Sequence, residues 1–277
     1  MKLFFLISFF FIFSFDVSSK DHEDSSQIIK RSIENKFRNK ENIARDKYRN
    51  PQQTLEFFGL KKNMSVLEIL PGKGWYTEIL SNVLKVDGKL FAASFGENHP
   101  NEYLRKIHLN FMKYFSNNDN FGNFEVVDFF NKNYLVDIDN ESLDMVLTFR
   151  NSHNWLKNKR ASQIYKSFNR VLKNEGILGV VQHRSDNNLI KTRGENGYVD
   201  QQFLSNLIES CGFKLVASSE INQNSLDTKN YSKGVWALPP TFRDGKKDVY
   251  KNIGESDRMT LKFKKIKNAS FADCHTY

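Results

Sequence analysis

The chain of 277 residues is long enough for one large α/β domain with extensions, or for two domains at most. A hydrophobic fraction of 39% and an aromatic fraction of 14% can supply a packed core, which excludes disorder over the whole chain. The formal net charge of +9 admits nucleic acid or an anionic membrane surface as a partner. However, acidic residues interrupt the densest basic stretch, 243–267, and it contains no nucleic-acid motif. We therefore expect a solvated basic surface and no nucleic-acid partner.

The first segment has the layout of a secretory signal, because Lys2 is followed by the short apolar run 3–15. A comfortable bilayer span needs about 20 apolar residues, so this run is too short. We expect residues 1–19 to be a signal peptide, with Ser18 and Ser19 as small residues for cleavage, and the protein to be exported, to the periplasm. An uncleaved membrane anchor is the second interpretation, and it would be the only membrane contact.

Residues 20–59 are expected to form an N-terminal helical extension. Isoleucines and Phe37 recur at loosely helical spacing over 20–47, which indicates an amphipathic helix lying over the domain. Pro51 suits the first turn of a second helix, with Asn50 as its cap and Gly59 at its end.

From residue 60 onward, strand and helix patterns alternate. Strands are expected at 64–70, 89–95, 124–128, 143–149, 177–183, 213–219 and 258–266, and helices at 75–84, 101–115, 159–172 and 199–211. Such alternation predicts an α/β fold with a doubly wound, mainly parallel seven-stranded sheet. The last strand alternates apolar and polar residues, which favours an antiparallel, half-exposed position. We expect residues 60–267 to form this domain, with 220–257 as an irregular loop and 268–277 as a tail.

Cysteine and histidine patterns give no metal site. Cys211 and Cys274 form no C-x-x-C pair, although a disulfide between them is possible. His99, His108 and His275 are isolated, and neither an H-E-x-x-H motif nor a G-x-S-x-G elbow occurs. We therefore expect no metal ion and no hydrolase of the elbow type.

A glycine turn follows the first strand, at Gly72-Lys73-Gly74, and a helix follows the turn. Glycine lets backbone N–H groups approach a ligand closely, because a β-carbon would block the approach. Ligands of open α/β sheets bind beyond the carboxyl ends of the strands. The acidic Glu68 near the strand end and the intervening Leu70 and Pro71 complete the motif.

This motif resembles the first motif of class I S-adenosylmethionine (SAM)-dependent methyltransferases, in which an acidic residue is followed by G-x-G-x-G. Leu70 and Pro71 depart from that pattern. The R-D-x-Y-R-x-P element at 45–51 and the runs 149–155 and 179–184 are similar to a bacterial family of predicted, often exported, methyltransferases. The resemblance covers most of residues 45–265, and it implies a Rossmann-like methyltransferase fold, SAM as cofactor and a small-molecule acceptor.

The resemblance also implies which residues hold SAM. An acidic residue after the second strand usually holds the ribose, but 92–95 contains no carboxylate, and Glu97 is the nearest substitute. Asp128 stands where a carboxylate accepts from the adenine amino group, or else it caps a turn; Phe129 could pack on the adenine ring. The predicted cofactor-binding residues are Glu68, Leu70, Pro71, Gly72, Gly74, Glu97, Asp128, Phe129, Arg150 and Asn151.

Methyl transfer needs a positioned nucleophile and, where that nucleophile carries a proton, a base. His153 is the first candidate for that base or for a substrate contact, since histidine titrates near neutrality; the alternative is a histidine that only bonds its loop. His183 and Tyr76 are the other catalytic candidates. Arg45, Tyr48 and Arg49 either close the pocket from above or only bind the sheet edge.

Two other functions are alternatives to a methyltransferase. A degenerate, non-catalytic fold that binds a nucleoside-like ligand is favoured by the missing ribose acid and by the signal segment, because SAM is made and used in the cytoplasm. A nicotinamide-dependent oxidoreductase needs a G-x-G-x-x-G turn and an acid after the second strand, and neither fits.

Overall fold

The computed structural model describes residues 17–116, 118–130, 133–186, 194–269, 271 and 274, with side chains from Ser25 onward. The apolar run 3–15, on which the expected signal rests, lies outside this part of the chain. No helix among the described residues is long and apolar enough to cross a membrane.

A single twisted sheet of seven strands organises the described chain. The strands are β1 (Ser65–Ile69), β2 (Lys89–Ser94), β3 (Glu125–Asp128), β4 (Leu143–Phe149), β5 (Leu172–His183), β6 (Phe213–Ser219) and β7 (Arg258–Lys265). Their order is β3-β2-β1-β4-β5-β7-β6. Strand β7 is antiparallel to both β5 and β6, whereas the other pairs are parallel. The predicted fold class is confirmed.

Helices cover both faces of this sheet. They are α1 (Val17–Ile33), α2 (Lys40–Ile43), α3 (Asp46–Arg49), α4 (Pro51–Phe58), α5 (Thr77–Val83), α6 (Glu102–Ser116), α7 (Ser152–Lys157), α8 (Ala161–Val171), α9 (Gln201–Ser210) and α10 (Lys247–Tyr250), with a 3₁₀ turn at Gly234–Ala237. Successive side chains of a strand point to opposite faces of the sheet. Leu67 therefore packs with α8 and α9, whereas its neighbour Val66 packs on the other face with α4 and α5. Burial on both faces is typical of parallel sheets.

Two local expectations need correction. Asn50 does stand at the N-terminus of α4, but its backbone is left-handed (φ 40°) and its side chain makes no cap. Its amide nitrogen donates instead to the carbonyl of Ile221, at 2.6 Å. Helix α7 was expected as a loop, because its six residues are too few to show helical periodicity.

A buried ion pair docks the N-terminal extension on the domain. Arg38, 2% exposed, donates to both carboxylate oxygens of Asp46 at 2.7 and 2.9 Å. Its Nε lies 3.4 Å from Oε2 of Glu78, which is fully buried at the start of α5. The other Glu78 oxygen accepts from the backbone N–H of Asn39 at 3.1 Å and from the Tyr114 hydroxyl at 2.8 Å. One carboxylate thus joins the extension, α5 and α6.

A disulfide joins Cys211, just after α9, to Cys274, with the two Cα atoms 4.8 Å apart. Both sulfurs lie near the carbonyl oxygen of Ser162, at 3.9 and 3.7 Å. The expected C-terminal tail is therefore covalently tied to the domain at residue 274.

Replacing Glu78 should test this docking directly. Glu78→Ala removes the acceptor of two hydrogen bonds and one of the two carboxylates paired with Arg38, so the free energy of unfolding should fall by about 3 kcal/mol. Glu125→Ala is the control, because Glu125 forms an exposed pair with Lys89 at 2.8 Å and should cost less than about 1 kcal/mol. Urea unfolding of both variants measures the difference, and equal losses would contradict the docking role.

Candidate active site

The glycine turn lies at the point where the strand order reverses, since β1 has β2 on one side and β4 on the other. Ligands of open α/β sheets bind beyond the carboxyl ends of the strands at this position. The turn has three left-handed residues: Leu70 (φ 48°), Gly72 (φ 62°) and Gly74 (φ 83°). Left-handed backbone is costly for leucine and easy for glycine.

The two glycines serve different purposes. A β-carbon on Gly74 would lie 2.4 Å from the ring of Phe115, so this glycine allows α6 to pack against the turn. A β-carbon on Gly72 would meet nothing within 4 Å and would point into open space. The expectation that both glycines clear the way for a ligand is therefore corrected: only Gly72 is placed to do so.

Leu70 occupies the position at which the resembled motif has its first glycine. Its N–H donates to the carbonyl of Ala93 at 2.8 Å, which ties the turn to β2. The side chain is half-buried and packs against the core. A strained residue held in this way at a ligand-facing turn fits a functional site, where such strain is concentrated. The neighbouring Pro71 carbonyl accepts from the N–H of Gly74 at 3.0 Å and closes the turn.

Glu68 is buried beneath the turn, 2% exposed, and its Oε2 accepts from the Thr77 hydroxyl at 2.6 Å. Burial raises the pKa of Glu68 to about 8, and the bond from Thr77 only partly opposes this. The observed role of Glu68 is to fasten the start of α5 to β1.

On the β2–β3 side, no carboxylate ends β2. Its last residue, Ser94, is buried and pairs through its hydroxyl with Nδ1 of His108 at 2.9 Å. Glu97 is exposed just beyond Gly96, whose left-handed turn (φ 78°) leads the chain past Asp128. A β-carbon on Gly96 would lie 2.6 Å from Oδ2 of Asp128, so this glycine lets the two turns approach. A ribose contact by Glu97 stays a prediction.

Asp128 is exposed, and its Oδ1 accepts from the N–H of Phe130 at 2.8 Å. Its alternative interpretation as a turn cap is therefore observed, and an adenine contact by Oδ2 stays a prediction. Phe129 requires correction: its side chain is fully buried and packs on Trp155 and Phe168, so neither face is free for an adenine ring.

Phe95 and Phe130 are partly exposed aromatic residues just after β2 and β3. Their half-buried rings are nearly parallel, with centroids 5.6 Å apart and an interplanar angle of 8°, and His99 meets both edge-on. Sequence reasoning gave neither ring a role, although Phe95 ends the second expected strand and Phe130 directly follows Phe129.

Between β4 and α7, Arg150 and Asn151 follow the strand. Arg150 is left-handed (φ 64°), and its N–H donates to the carbonyl of Val181 on β5 at 2.7 Å. The amide nitrogen of Asn151 donates to the carbonyl of Ile69 at 2.9 Å and to the Thr148 hydroxyl at 3.2 Å. Asn151 therefore joins β4 to β1, so its side-chain nitrogen is already engaged within the protein.

An arginine cluster, defined as Arg45, Arg49, Arg150 and Arg258, lies over the adjacent strand ends around Glu255. Arg45 Nε lies 2.6 Å from Glu255 Oε1, while Arg49 Nε and Arg258 Nη1 lie 3.1 and 3.2 Å from Oε2. Arg258 also donates to the carbonyl of Tyr48. Burial opposes ionisation of Glu255, but the arginines outweigh it and lower its pKa to about 2. Sequence reasoning did not find Glu255, because it treated 220–257 as irregular, and it placed Arg258 in the last strand without giving it a role.

Tyr76 lies beside this cluster, 5% exposed, and stacks on Phe149 with centroids 3.5 Å apart. Burial raises the pKa of Tyr76 to about 12, although Arg49, Arg258 and Arg150 act in the opposite direction. At neutral pH it is a phenol and can donate a hydrogen bond, but it is not a base. Trp75 next to it donates to the carbonyl of Asn42 at 2.8 Å and is a packing residue.

His153 is 5% exposed at the start of α7, and its Nδ1 lies 3.3 Å from Nε2 of Gln182. That amide nitrogen also donates to the carbonyl of Gly197 at 3.0 Å, which fixes its identity as a donor. The lone pair of Nδ1 is therefore engaged, and the proton of the neutral ring is on Nε2. Burial lowers the pKa of His153 to about 4. Both features oppose the general-base role expected from the sequence.

His183 ends β5, and its Nδ1 pairs with the hydroxyl of Ser256. Burial lowers the pKa of His183 well below its usual value, and His153, Arg150 and Arg258 act in the same direction. This histidine is consequently neutral at physiological pH. Its ring centroid lies 5.6 Å from that of His153, so the structure does bring the two predicted histidines together.

Two surface cavities of about 570 and 650 Å³ lie elsewhere: the first is between α1 and the end of α5, and the second adjoins Arg184 and Asp227. Neither is lined by the glycine turn or the arginine cluster, so we assign the site from strand topology and residue chemistry. Among the described residues, no group of His, Cys, Asp or Glu is arranged to hold a metal ion.

The strand order, the antiparallel β7 and a glycine turn at the reversal point define the Rossmann-like methyltransferase fold. No family model matches the sequence, and no curated protein matches it. Solved structures do match. A SAM-dependent methyltransferase from Aquifex aeolicus superimposes with a TM-score of 0.55 and 15% identity, over 88% of this chain and 99% of that one.

The cyclase SpnF superimposes with a TM-score of 0.50 and 14% identity, over 79% of this chain and 80% of that one. The chain therefore has the fold of class I SAM-dependent methyltransferases. At these identities the likeness shows the fold alone, and a cyclase among the matches illustrates that this fold serves more than one reaction.

The buried Glu68 predicts a pH dependence of stability. Its pKa is raised to about 8 in the folded state, against about 4.3 in an unfolded chain. Below pH 4 both states are protonated; as pH rises toward 8 the unfolded state loses its proton first, so this group destabilises the fold progressively. Glu68→Gln removes that penalty. Relative to that of the parent, the free energy of unfolding of the variant should rise by roughly 2–4 kcal/mol between pH 4 and pH 8.5.

Urea unfolding at both pH values measures this gain. The Glu175→Gln variant is the control, because Glu175 forms only an exposed ion pair with Lys264; its difference from the parent should change by less than about 1 kcal/mol over this range. A Glu68→Gln difference that changes as little with pH would refute the raised pKa.

Proposed function

We propose that this protein is a SAM-dependent methyltransferase that acts on a small-molecule acceptor. The observation that carries the proposal is Gly72: a left-handed glycine at the reversal point of the sheet, with open space where its side chain would be. Among the described residues, the N–H groups of Gly72 and Lys73 have no hydrogen-bond acceptor, so they are free to bind the cofactor.

The residues of the turn and of the β2–β3 side fit SAM. Gly72 and Lys73 would receive it at the turn, Glu97 and Asp128 supply carboxylates near the strand ends, and Phe95 and Phe130 offer aromatic surface. Bound there, SAM supplies an electrophilic methyl group on a sulfonium sulfur. The acceptor side is then the β4–β5 side, with Tyr76, His183 and the arginine cluster.

The reaction would be an in-line displacement at that methyl group, and the residues of the β4–β5 side would hold the acceptor in line with it. Little proton chemistry is required, so the main contribution of the protein is positioning. We assign no general base, because burial lowers the pKa of both histidines and the Nδ1 of His183 is already paired with the Ser256 hydroxyl. The lone pair of His153 is engaged by Gln182, and Tyr76 is a phenol.

Titration calorimetry of the full-length protein with SAM and S-adenosylhomocysteine tests the proposal. We expect dissociation constants below about 1 mM for both. Gly72→Ala places a methyl group in the open space and should weaken binding at least tenfold. Its fold should lose only about 1–2 kcal/mol, the cost of a left-handed alanine.

Gly245→Ala is a matched control, because Gly245 is also left-handed (φ 75°) with nothing within 4 Å of its β-carbon position. It should show the same loss of stability with unchanged affinity. No binding of either ligand by the parent protein would end the methyltransferase proposal. Binding without turnover on any acceptor would instead favour a non-catalytic ligand-binding protein.

We also propose that the protein is exported. The N-terminal apolar run supports export, as does the Cys211–Cys274 disulfide, since disulfides persist mainly in oxidising compartments. Alkaline phosphatase fused to the C-terminus should be active behind the full chain and inactive when residues 1–19 are deleted. An inactive full-length fusion, with both cysteines reactive toward a thiol reagent, would place the protein in the cytoplasm.

A further inference from the structure

We propose that the acceptor carries a carboxylate or phosphate group, and that Arg49 and Arg150 of the arginine cluster bind this group. This inference rests on the proposed function and deepens it by naming the acceptor's chemical class.

The first support is the imbalance of charge. The four arginines surround Glu255, which is the one carboxylate among the described residues that forms an ion pair with Arg45, Arg49 or Arg258. Arg49 and Arg258 are each only 3% exposed. Buried charges are costly unless they are paired. A protein that keeps such an excess of positive charge at its sheet edge has a place for an anion.

The second support is that some guanidinium N–H groups of the cluster have no acceptor among the described residues. Nη2 of Arg49 is buried without a hydrogen-bond partner. The guanidinium of Arg150 makes no hydrogen bond or ion pair with any described residue, although its backbone is held in a left-handed conformation. Arg49 also lies over the ring of Trp75, 4.7 Å from its centroid, but this contact satisfies the face of the guanidinium and not its N–H groups.

Burial lowers the pKa of Arg49 to about 9 and that of Arg150 to about 10, with like charges adding to the effect. Glu255 acts in the opposite direction on both groups but does not offset burial. A bound carboxylate or phosphate would accept from both, and guanidinium is suited to these anions because its N–H groups form a planar fork.

The third support is location. Arg150 follows β4, and Arg258 begins β7 opposite His183 at the end of β5. These strands lie on the far side of β1 from β2 and β3, where the adenosine part of SAM is proposed to bind. The cluster therefore faces the acceptor side. Because it is largely buried, it suits a small anion better than a nucleic-acid backbone.

The fourth support is charge coupling. SAM carries one carboxylate, one ammonium and one sulfonium group, so it enters with a net positive charge. An anionic acceptor would offset both this charge and that of the cluster. Cofactor and acceptor should therefore strengthen each other's binding, or at least not compete.

The experiment is a calorimetric titration of the full-length protein with inorganic phosphate and with acetate. Ionic strength is held constant with chloride, and each titration is done with and without saturating S-adenosylhomocysteine. S-adenosylhomocysteine lacks the sulfonium charge of SAM, so we expect phosphate to bind its complex with the same affinity as the free protein. Arg150→Gln should weaken phosphate binding at least tenfold and leave S-adenosylhomocysteine binding within about twofold. Arg160→Gln removes an exposed arginine and should change neither.

Three results would overturn the inference. If S-adenosylhomocysteine binds but neither anion does, the acceptor is not anionic, and the methyltransferase proposal survives. If S-adenosylhomocysteine abolishes phosphate binding, the cluster serves the cofactor's own carboxylate. If S-adenosylhomocysteine itself fails to bind, the proposed function fails and the inference fails with it.

Discussion

The burial of one carboxylate among arginines connects most of the features on which function depends. Glu255 accepts from Arg45 and Arg49 of the N-terminal extension and from Arg258 at the start of β7. These bonds hold the extension over the carboxyl ends of β4 and β5. Because that edge is the ligand-binding edge of an open sheet, the extension becomes one wall of the site. The long loop before β7 contributes to the same wall, because it contains Glu255.

The site divides at β1. On one side the glycine turn and the ends of β2 and β3 present backbone N–H groups, carboxylates and aromatic faces. On the other side the ends of β4, β5 and β7 present guanidinium groups. Asn151 bonds across the division, from the β4 end to the carbonyl of Ile69. The two halves are therefore rigidly related, which is the property that a transfer reaction between two bound molecules requires.

The sequence was sufficient for the fold because strand and helix patterns alternate along it and each strand is apolar enough to be recognised. It located the turn at Gly72 and the polar strand ends for the same reason. It failed where a role depends on long-range packing. Gly74 faces Phe115, Phe129 is in the core, and Glu255 reaches Arg49 from more than 200 positions away. No local sequence pattern predicts which of the two adjacent phenylalanines, Phe129 or Phe130, is partly exposed in the folded protein.

Electrostatics also explains why the catalytic candidates proved less basic than their residue types suggest. Burial beside guanidinium groups keeps His153 and His183 unprotonated and weakly basic, and burial keeps Tyr76 a phenol. The same positive surroundings stabilise any acceptor that is already an anion. An acceptor of that kind needs little help in losing a proton. The environment that weakens these groups as bases therefore favours a reaction that depends on placing two charged molecules correctly, with proton removal as a minor part.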